Sequence, residues 1–576
     1  MKRKIKMLAS CVLATVISSG CLVACNPFES GEGIGDKIDN SMSQLYVSNY
    51  NGGFGSEWVY EAKARFEEVY KDYSFEPDKK GVQIIVRADK IGFAGAELYK
   101  GMEANKNEVF FTQAITYMDY VNDGYMLDIS DLLNDTDKYN TLDPNNDGKT
   151  IASKMYPEQL SYFDVKGKSY AIPHYLGASG IIYDMDLFHK KSLYYARNGV
   201  QSENYASDKD TYGGFNGTVS YTNYVGNRSA GPDGKHGTYD DGLPATYDEF
   251  FALCSYMSGP AKGVQPFTMT GQYADTYIYW LLAALMADYE GKEQTLLNAT
   301  LNGTAENLVT VSGNSIVKDT SDTPISASNG YELTRQAGRY HSLYFLEKIK
   351  SYFDNKSWAD EDSHVSAQTR YLRSSSLNEG TAFLVEGVWW ENEAEATFTE
   401  MAKADEAYSR MNRKFGFLPL PKVSNEQIGD SATLLDSLYS CAFINGNIDE
   451  SKIDLAKTFL KFCCTDYSLE QYTIQSGTIK AFNYDISETA KTKLSGFSKS
   501  YWELYKSDNC EVIYQLSNND IFRGAQDSFE ISKCYKTTFG TGAFTSIVKQ
   551  NKTAAEYFKG MIDYNSKEKW DSNFSK

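Results

Sequence analysis

The sequence predicts an α/β fold with a largely parallel sheet. From about residue 44 onward, apolar runs of strand length alternate with stretches of helical periodicity. The roughly 550 residues after the N-terminal segment can bury a sizeable core and are too many for one ordinary domain.

Taken in order, "QLYVSNY" reads as a strand, and "SEWVYEAKARFEEVYKDY" as a helix with many charges on one side. "GVQIIVRAD" is the next strand and "NEVFFTQ" the third, and "DISDLLN" starts another helical turn. In "GKSYAIPHYLGASGIIYDMDLF" a Gly-Lys turn leads into an extended run broken by Pro173, then into an apolar run containing Gly177 and Gly180. "LPATYDEFFALCSYM" begins a helix with Thr246 as N-cap and Glu249 completing a capping box. "DTYIYWLLAALMADYEG" is a strongly apolar helix. "RKFGFLPLPKV" and "LYSCAFINGN" are extended, and "DESKIDLAKTFLKFCCTDYSLEQYTIQSG" is a helix pair capped at Asp449. From 485 the tail reads as further helices. Two polar stretches, about 195–243 and 300–330, look like insertions, and no internal repeat is found.

The N-terminus opens with Lys2, Arg3, Lys4 and Lys6, then a short apolar stretch and small residues. It reads as an export signal over residues 1–24, too short for a comfortable membrane span. Its end, "LVAC", resembles a bacterial lipobox, which implies that Cys25 becomes a lipidated first residue; a plain cleaved signal is the alternative. Residues 25–43 then form a flexible tether. No later apolar run reaches spanning length, so the acyl group would be the only membrane anchor, holding the protein at the extracellular face.

Removing residues 1–24 takes away four positive charges and no acids, so the formal charge goes from −19 to −23. A chain this acidic is a poor partner for nucleic acid or an anionic membrane surface. The six cysteines beyond Cys25 lack the paired spacing of a zinc site, and buried free thiols are expected. With 44 tyrosines and only five histidines, the composition suits stacking and hydrogen bonding better than metal or acid–base chemistry. The usual hydrolase, zinc-peptidase and phosphate-loop signatures are missing, and no cofactor is expected. "DPNNDGK" places Asp143, Asn145 and Asp147 at the spacing of a calcium loop, but Lys154 stands where that loop needs its bidentate glutamate. "GPDGKHGTYDDG" offers Asp233, Asp240 and Asp241. Either could hold a structural Ca²⁺, against tight turns built from Asn, Asp and Gly.

"GTAFLVEGVWWENEAEA" sets Trp389 beside Trp390 where a strand-like run turns into a helix. Neighbours on a helix point about 100° apart, so both indoles are hard to bury in one place.

The order of "QLYVSNYNGG", "AKARFEEVY", "NEVFFTQ", "GKSYAIPHYLGASGIIYDMDLF", "LPATYDEF", "LNEGTAFLVEGVWWENEA", "FGFLPLPKV" and "AKTFLKFCC" with "YTIQSG" resembles the solute-binding proteins that feed sugar-import ABC transporters, the family that includes the maltose-binding protein. The resemblance runs from about residue 44 to 485. It implies a periplasmic-binding-protein-like fold of type II: two α/β lobes joined by a multi-crossing hinge, with the ligand cleft between them. Lobe one would be 44–172 plus about 440–475, and lobe two 173–439 plus about 476–576. The chain would cross near "IPHYLG", "LYSCAFINGN" and "YTIQSG".

The resemblance places Trp389 at a sugar-stacking position, with core packing as the alternative; Trp390 and Glu386 are further candidates. It gives Asp275 the place of a hydroxyl-accepting acid, against helix N-capping, and Tyr277 that of an aromatic platform, against surface covering. Tyr50, Asn51, Phe54 and Trp58 follow the first strand, at the carboxyl edge where open α/β sheets bind ligands. Phe111, Gln113 and Tyr175 complete the set. An acid of the maltose-binding pattern is replaced by Gly177, which argues against maltose but not against a saccharide.

The resulting expectation is a lipid-anchored, monomeric receptor that captures an oligosaccharide and delivers it to an ABC permease. A surface glycan hydrolase, an adhesin-like glycan binder and a peptide receptor are the alternatives.

Overall fold

The computed structural model describes residues 37–197, 209–210, 219–260, 262–374 and 380–574. The export signal, Cys25, most of the tether and part of the 195–243 insertion lie outside the described residues.

In chain order the main strands are β1 (Ser43–Tyr50), β2 (Val82–Asp89), β3 (Val109–Thr112), β4 (Ala171–Pro173), β5 (Ser179–Asp184), β6 (Gln265–Thr268), β7 (Thr381–Gly387), β8 (Phe415–Phe417), β9 (Ala432–Asp436), β10 (Cys441–Ile444) and β11 (Cys510–Tyr514). One sheet has the order β2-β1-β3-β10-β4, the other β6-β7-β5-β8, and β9 pairs with β11. Each sheet is the centre of one lobe, and the fold is the expected two-lobed α/β architecture.

In the first sheet β2, β1, β3 and β4 all point the same way, the largely parallel arrangement expected, and β10 alone runs against them. Strands β2, β1 and β3 run parallel, as helical crossovers demand. Strand β10 runs antiparallel to both β3 and β4. It enters from the other lobe, so no local crossover sets its direction. Across the β3–β10 seam Phe110 stacks on Phe443 with ring centroids 4.8 Å apart.

The chain passes between the lobes at 174–178, 437–440 and 477–481, and these passages lie side by side. The His174 amide donates to the Ser440 carbonyl at 3.3 Å and the Leu176 amide to that of Ile479 at 2.9 Å. Gly177 donates its amide to Asp436 Oδ1 at 2.9 Å.

Helix α1 (Glu57–Val69) buries Trp58, Val59, Ala62 and Phe66, the periodicity of one helical face. The apolar helix α2 (Ala274–Thr300) breaks at Gly291, where φ is 73° and ψ 174°; only glycine takes that backbone cheaply. Helices α3 (Ala337–Ile349), α4 (His364–Ser374) and α5 (Asp466–Ser476) follow. Thr246 caps its helix through the Glu249 amide, while the Glu249 carboxylate reaches the amide of Ala245, one residue before the cap. Asp449 caps the 3₁₀ turn Glu450–Lys452, and the α-helix proper starts at Ile453.

The tail contains strand β11 as well as helices, correcting the all-helical expectation; its partner β9 is far away in sequence, so no local pattern marks the pairing. Within the 300–330 insertion, Gly303–Ala305 pairs with Thr323–Ile325 and Val309–Ser312 with Ser315–Lys318. The six described cysteines are free thiols. Among the described residues no helix is long and apolar enough to cross a membrane.

Candidate functional site

A cavity of about 260 Å³ lies between the lobes. The first lobe contributes Gln113, Ala114 and Ile115, directly after β3. The second contributes Thr276, Tyr279 and Trp280, which share one face of α2 at i, i+3 and i+4. Ser437, Leu438 and Tyr439 come from the second passage, and Gln526, Glu530, Ser532 and Lys533 from the tail.

Backbone strain converges here. Ala114 (φ 54°) and Tyr439 (φ 48°) are both left-handed non-glycine residues on the cavity wall. They are tied together, since the Ala114 amide donates to the Leu438 carbonyl at 3.2 Å. Such conformations cost of order 1–3 kcal/mol each and cluster at binding sites. Behind Tyr439 a smaller void of about 20 Å³ is bounded by Tyr175, Asp436 and Tyr514. Asp436 accepts the amides of Gly177 and Tyr439, yet burial pushes its carboxyl up to about 7.

Beside the cavity, aromatic rings from both lobes meet. Phe54 stacks on Tyr175 with centroids 3.8 Å apart and 13° between the planes. Trp389 lies 5.8 Å from Phe54 and 5.7 Å from Trp280, edge-on to the latter. Its indole folds back over Gly387 and against Gly53, where an added Cβ would come within 2.2 and 2.9 Å of the ring. Trp389 is therefore covered from both lobes and is only 4% exposed. Tyr175 donates its hydroxyl to Gln113, which joins this cluster to the cavity. Tyr50 packs over Gly52 beside Gln113. Lys90 of the first lobe pairs with Glu393 of the second at 3.2 Å. Asn51, half-buried, donates its amide to the Asp89 carbonyl.

Other candidates stand elsewhere. Trp390 is a core residue of the second lobe, packed among Tyr371, Phe398, Phe415 and Phe497. Its expected ligand contact is corrected, because the turn that swings Trp389 toward the first lobe swings Trp390 inward. Trp58 and Phe111 are buried edge-to-face against each other, with His174 and Lys480 beside them, and neither lines the cavity. Asp275 accepts the amides of Phe544 and Thr545 and the Thr545 hydroxyl, and it is not among the residues that line the cavity. It caps, as the alternative reading had it, but for a turn in the tail and not for its own helix. Tyr277 is buried against Trp280 with its hydroxyl toward Glu386. Glu386 is buried too. The Gln368 amide bridges it to Glu393, at 3.3 and 3.0 Å, and desolvation followed by the charge of Glu393 raises its pKa well above the usual range.

Of the twelve ligand candidates, Gln113 alone lines the cavity, and Phe54, Tyr175 and Trp389 form the adjoining cluster. Trp280 and Tyr279 were legible as helix residues only. The signal was present in the i, i+3, i+4 spacing of Thr276, Tyr279 and Trp280, which puts polar and aromatic groups on one face. The tail residues carried no such signal.

Neither acidic loop is arranged around a cation. The Lys154 ammonium sits 2.5 Å from Asp147 and 2.9 Å from Asp466, and also donates to the Cys464 carbonyl. Asp233 and Asp240 build a turn in which the Asp233 amide donates to Asp240 and the Lys235 amide to Asp233. Among the described residues no group of three or more His, Cys, Asp or Glu side chains is placed to hold a metal.

No protein-family model and no curated protein matches the sequence. Solved structures do. A chitin oligosaccharide binding protein is 14% identical with a TM-score of 0.50, over 93% of this chain and 100% of that one. A structure from work on xylan utilisation by the thermophilic bacterium Caldanaerobius polysaccharolyticus is 13% identical with a TM-score of 0.51, over 90% and 99%. The class these define, together with the sheets and passages above, is the two-lobed solute-binding fold of type II. At such low identity the likeness is one of fold alone.

Proposed function

We propose that this protein is the lipid-anchored extracellular binding component of an ABC importer, and that it captures a carbohydrate between its lobes. The lobes are taken as 44–172 plus about 440–475, and 173–439 plus about 476–576, with Cys25 as the anchored residue. The observation that carries the reading is the cavity: a half-buried indole, Trp280, stands with Tyr279 among amide, hydroxyl and carboxylate groups drawn from both lobes and a passage. A pyranose has an apolar face of C–H groups and an edge of hydroxyls, and this lining offers a partner for each. Stacking on Trp280 should contribute about 0.5–1.5 kcal/mol beyond area burial, taking aromatic pairs as a guide. Mixed aromatic and polar lining is also the general character of small-molecule sites.

The fold supports the transport role, and two structures that share it come from work on chitin oligosaccharides and xylan. Capture proceeds by closure. A ligand touching both lobes stabilises the closed form only through its differential affinity for that form. The passages at 174–178, 437–440 and 477–481 confine the motion to a bend. The closed shape then docks on the permease, with the protein acting as a monomer and the sugar leaving unmodified.

A thermal-shift screen of the purified chain against mono- and oligosaccharides tests this reading. A bound sugar raises the melting temperature by mass action and is recovered intact. A panel without any shift, or recovery of a shortened sugar, contradicts it.

A further inference from the structure

The tail that walls the cavity is held from several sides. Arg523 donates to the carbonyls of Ser161 and Asp164, each at 2.6 Å, and Gln526 accepts the Tyr162 hydroxyl at 2.6 Å, all on the first lobe. Gln515 accepts the Tyr439 hydroxyl from the second passage at 2.8 Å and the Ile531 amide at 3.1 Å, and donates to the Phe529 carbonyl. Tyr535 shares a hydrogen bond with Ser342 and donates to the Leu282 carbonyl, on the second lobe. Between these anchors Glu530 lines the cavity and is 8% exposed. Its carboxylate accepts the Ser532 hydroxyl and pairs with the Lys533 ammonium at 2.9 Å. Each carboxylate oxygen has two lone pairs, so acceptor capacity remains for a hydroxyl in the cavity.

We propose that Glu530, oriented by Ser532 and Lys533, is the specificity-determining hydroxyl acceptor of the cavity, and that the tail makes the cavity a pocket for the terminal ring of a neutral saccharide. The proposal rests on the carbohydrate reading above. At about 260 Å³ the cavity is below the usual range for drug-sized ligands, about 300–1,000 Å³, and suits a sugar end better than a chain threaded through. A carboxylate wall in so acidic a chain also selects against uronates and other anionic sugars.

Isothermal titration of the full mature chain with xylose, xylobiose and xylotetraose, with the corresponding N-acetylglucosamine and glucose series, and with glucuronic acid tests it. In a series that binds, affinity levels off after the second ring, Glu530→Gln weakens binding at least ten-fold without lowering the melting temperature, and glucuronic acid does not bind. If E530Q does not fold, Ser532→Ala, which frees the carboxylate to turn, weakens binding in the same series. Affinity that climbs steadily to four rings, an E530Q protein that binds as the parent does, or tight glucuronic acid binding overturns the proposal while leaving carbohydrate capture intact. No binding by any series defeats the underlying reading, and this inference with it.

Discussion

The Phe54 ring, carried by the loop after β1, lies flat on Tyr175, carried by the first passage between lobes, at 3.8 Å. Trp389 of the second lobe joins the group, 5.8 Å from Phe54 and tilted 47° to it. A phenyl ring thus stands where two aromatic surfaces from different parts of the chain converge. Phe54→Ala removes this contact, and large-to-small changes of this kind cost about 3–5 kcal/mol at a fully buried site. A fall of that order in denaturation free energy, with Trp389 becoming accessible to a collisional quencher, is the expected result. An unchanged quenching profile would mean that Phe54 does not hold the lobes against Trp389.

Gly53 reports on the same closure. Its φ is 97°, and an added Cβ would lie 2.9 Å from Trp389 and 3.1 Å from Glu393. Gly53→Ala therefore pushes the lobes apart on both strain and contact grounds. Small-angle scattering of the variant is expected to give a larger radius of gyration than the parent under the same conditions.

Much of this was legible in the sequence. The first three strands, α1 and the Thr246 cap are specified by local pattern, because each declares itself within a few residues, whereas the passages around "IPHYLG" and "YTIQSG" came from the family resemblance alone. Trp390 and Asp275 show where local pattern stops. Whether an indole after a strand faces core or cleft depends on the turn between, and Asp275 is claimed by a tail segment about 270 residues away. The cavity's tail residues were invisible for the same reason: only long-range packing brings Glu530 to Trp280.

The two neighbouring roles of tryptophan separate experimentally. Trp390→Ala excavates an aromatic core and is expected to cost about 3–5 kcal/mol of stability. Trp280→Ala trims a half-buried ring that also packs on Tyr277 and Trp389, so it should cost less stability than Trp390→Ala while weakening saccharide binding about ten-fold, or about 1.4 kcal/mol. Calorimetric melting beside a binding titration checks both.

Asp436 gives the fold a pH dependence with a definite sign. Burial raises its carboxyl from 3.8 to about 7, so across pH 4 to 7 the folded chain holds a proton that the unfolded chain has released. Its contribution to stability is complete below pH 4 and is lost as pH rises through 7. About three units correspond to roughly 4 kcal/mol as an upper limit. Melting temperatures measured from pH 8 down to pH 5 should rise less in Asp436→Asn than in the parent; identical slopes would remove Asp436 from the account.

Calcium should do little. With the Lys154 ammonium already between Asp147 and Asp466, millimolar Ca²⁺ or a chelator is expected to leave the melting temperature unchanged. Lys154→Met removes the cation between Asp147 and Asp466 but leaves Asp466 its pair with Lys149 and Asp147 the Asp466 amide, and should lower the melting temperature.

The central claim is that the space between the lobes holds a sugar ring against Trp280. A calorimetric titration of the parent and of Trp280→Ala with a saccharide identified in the thermal screen addresses it most directly. The account expects one site per chain in the parent and about ten-fold weaker binding in the variant. Equal affinities in the two proteins would contradict it.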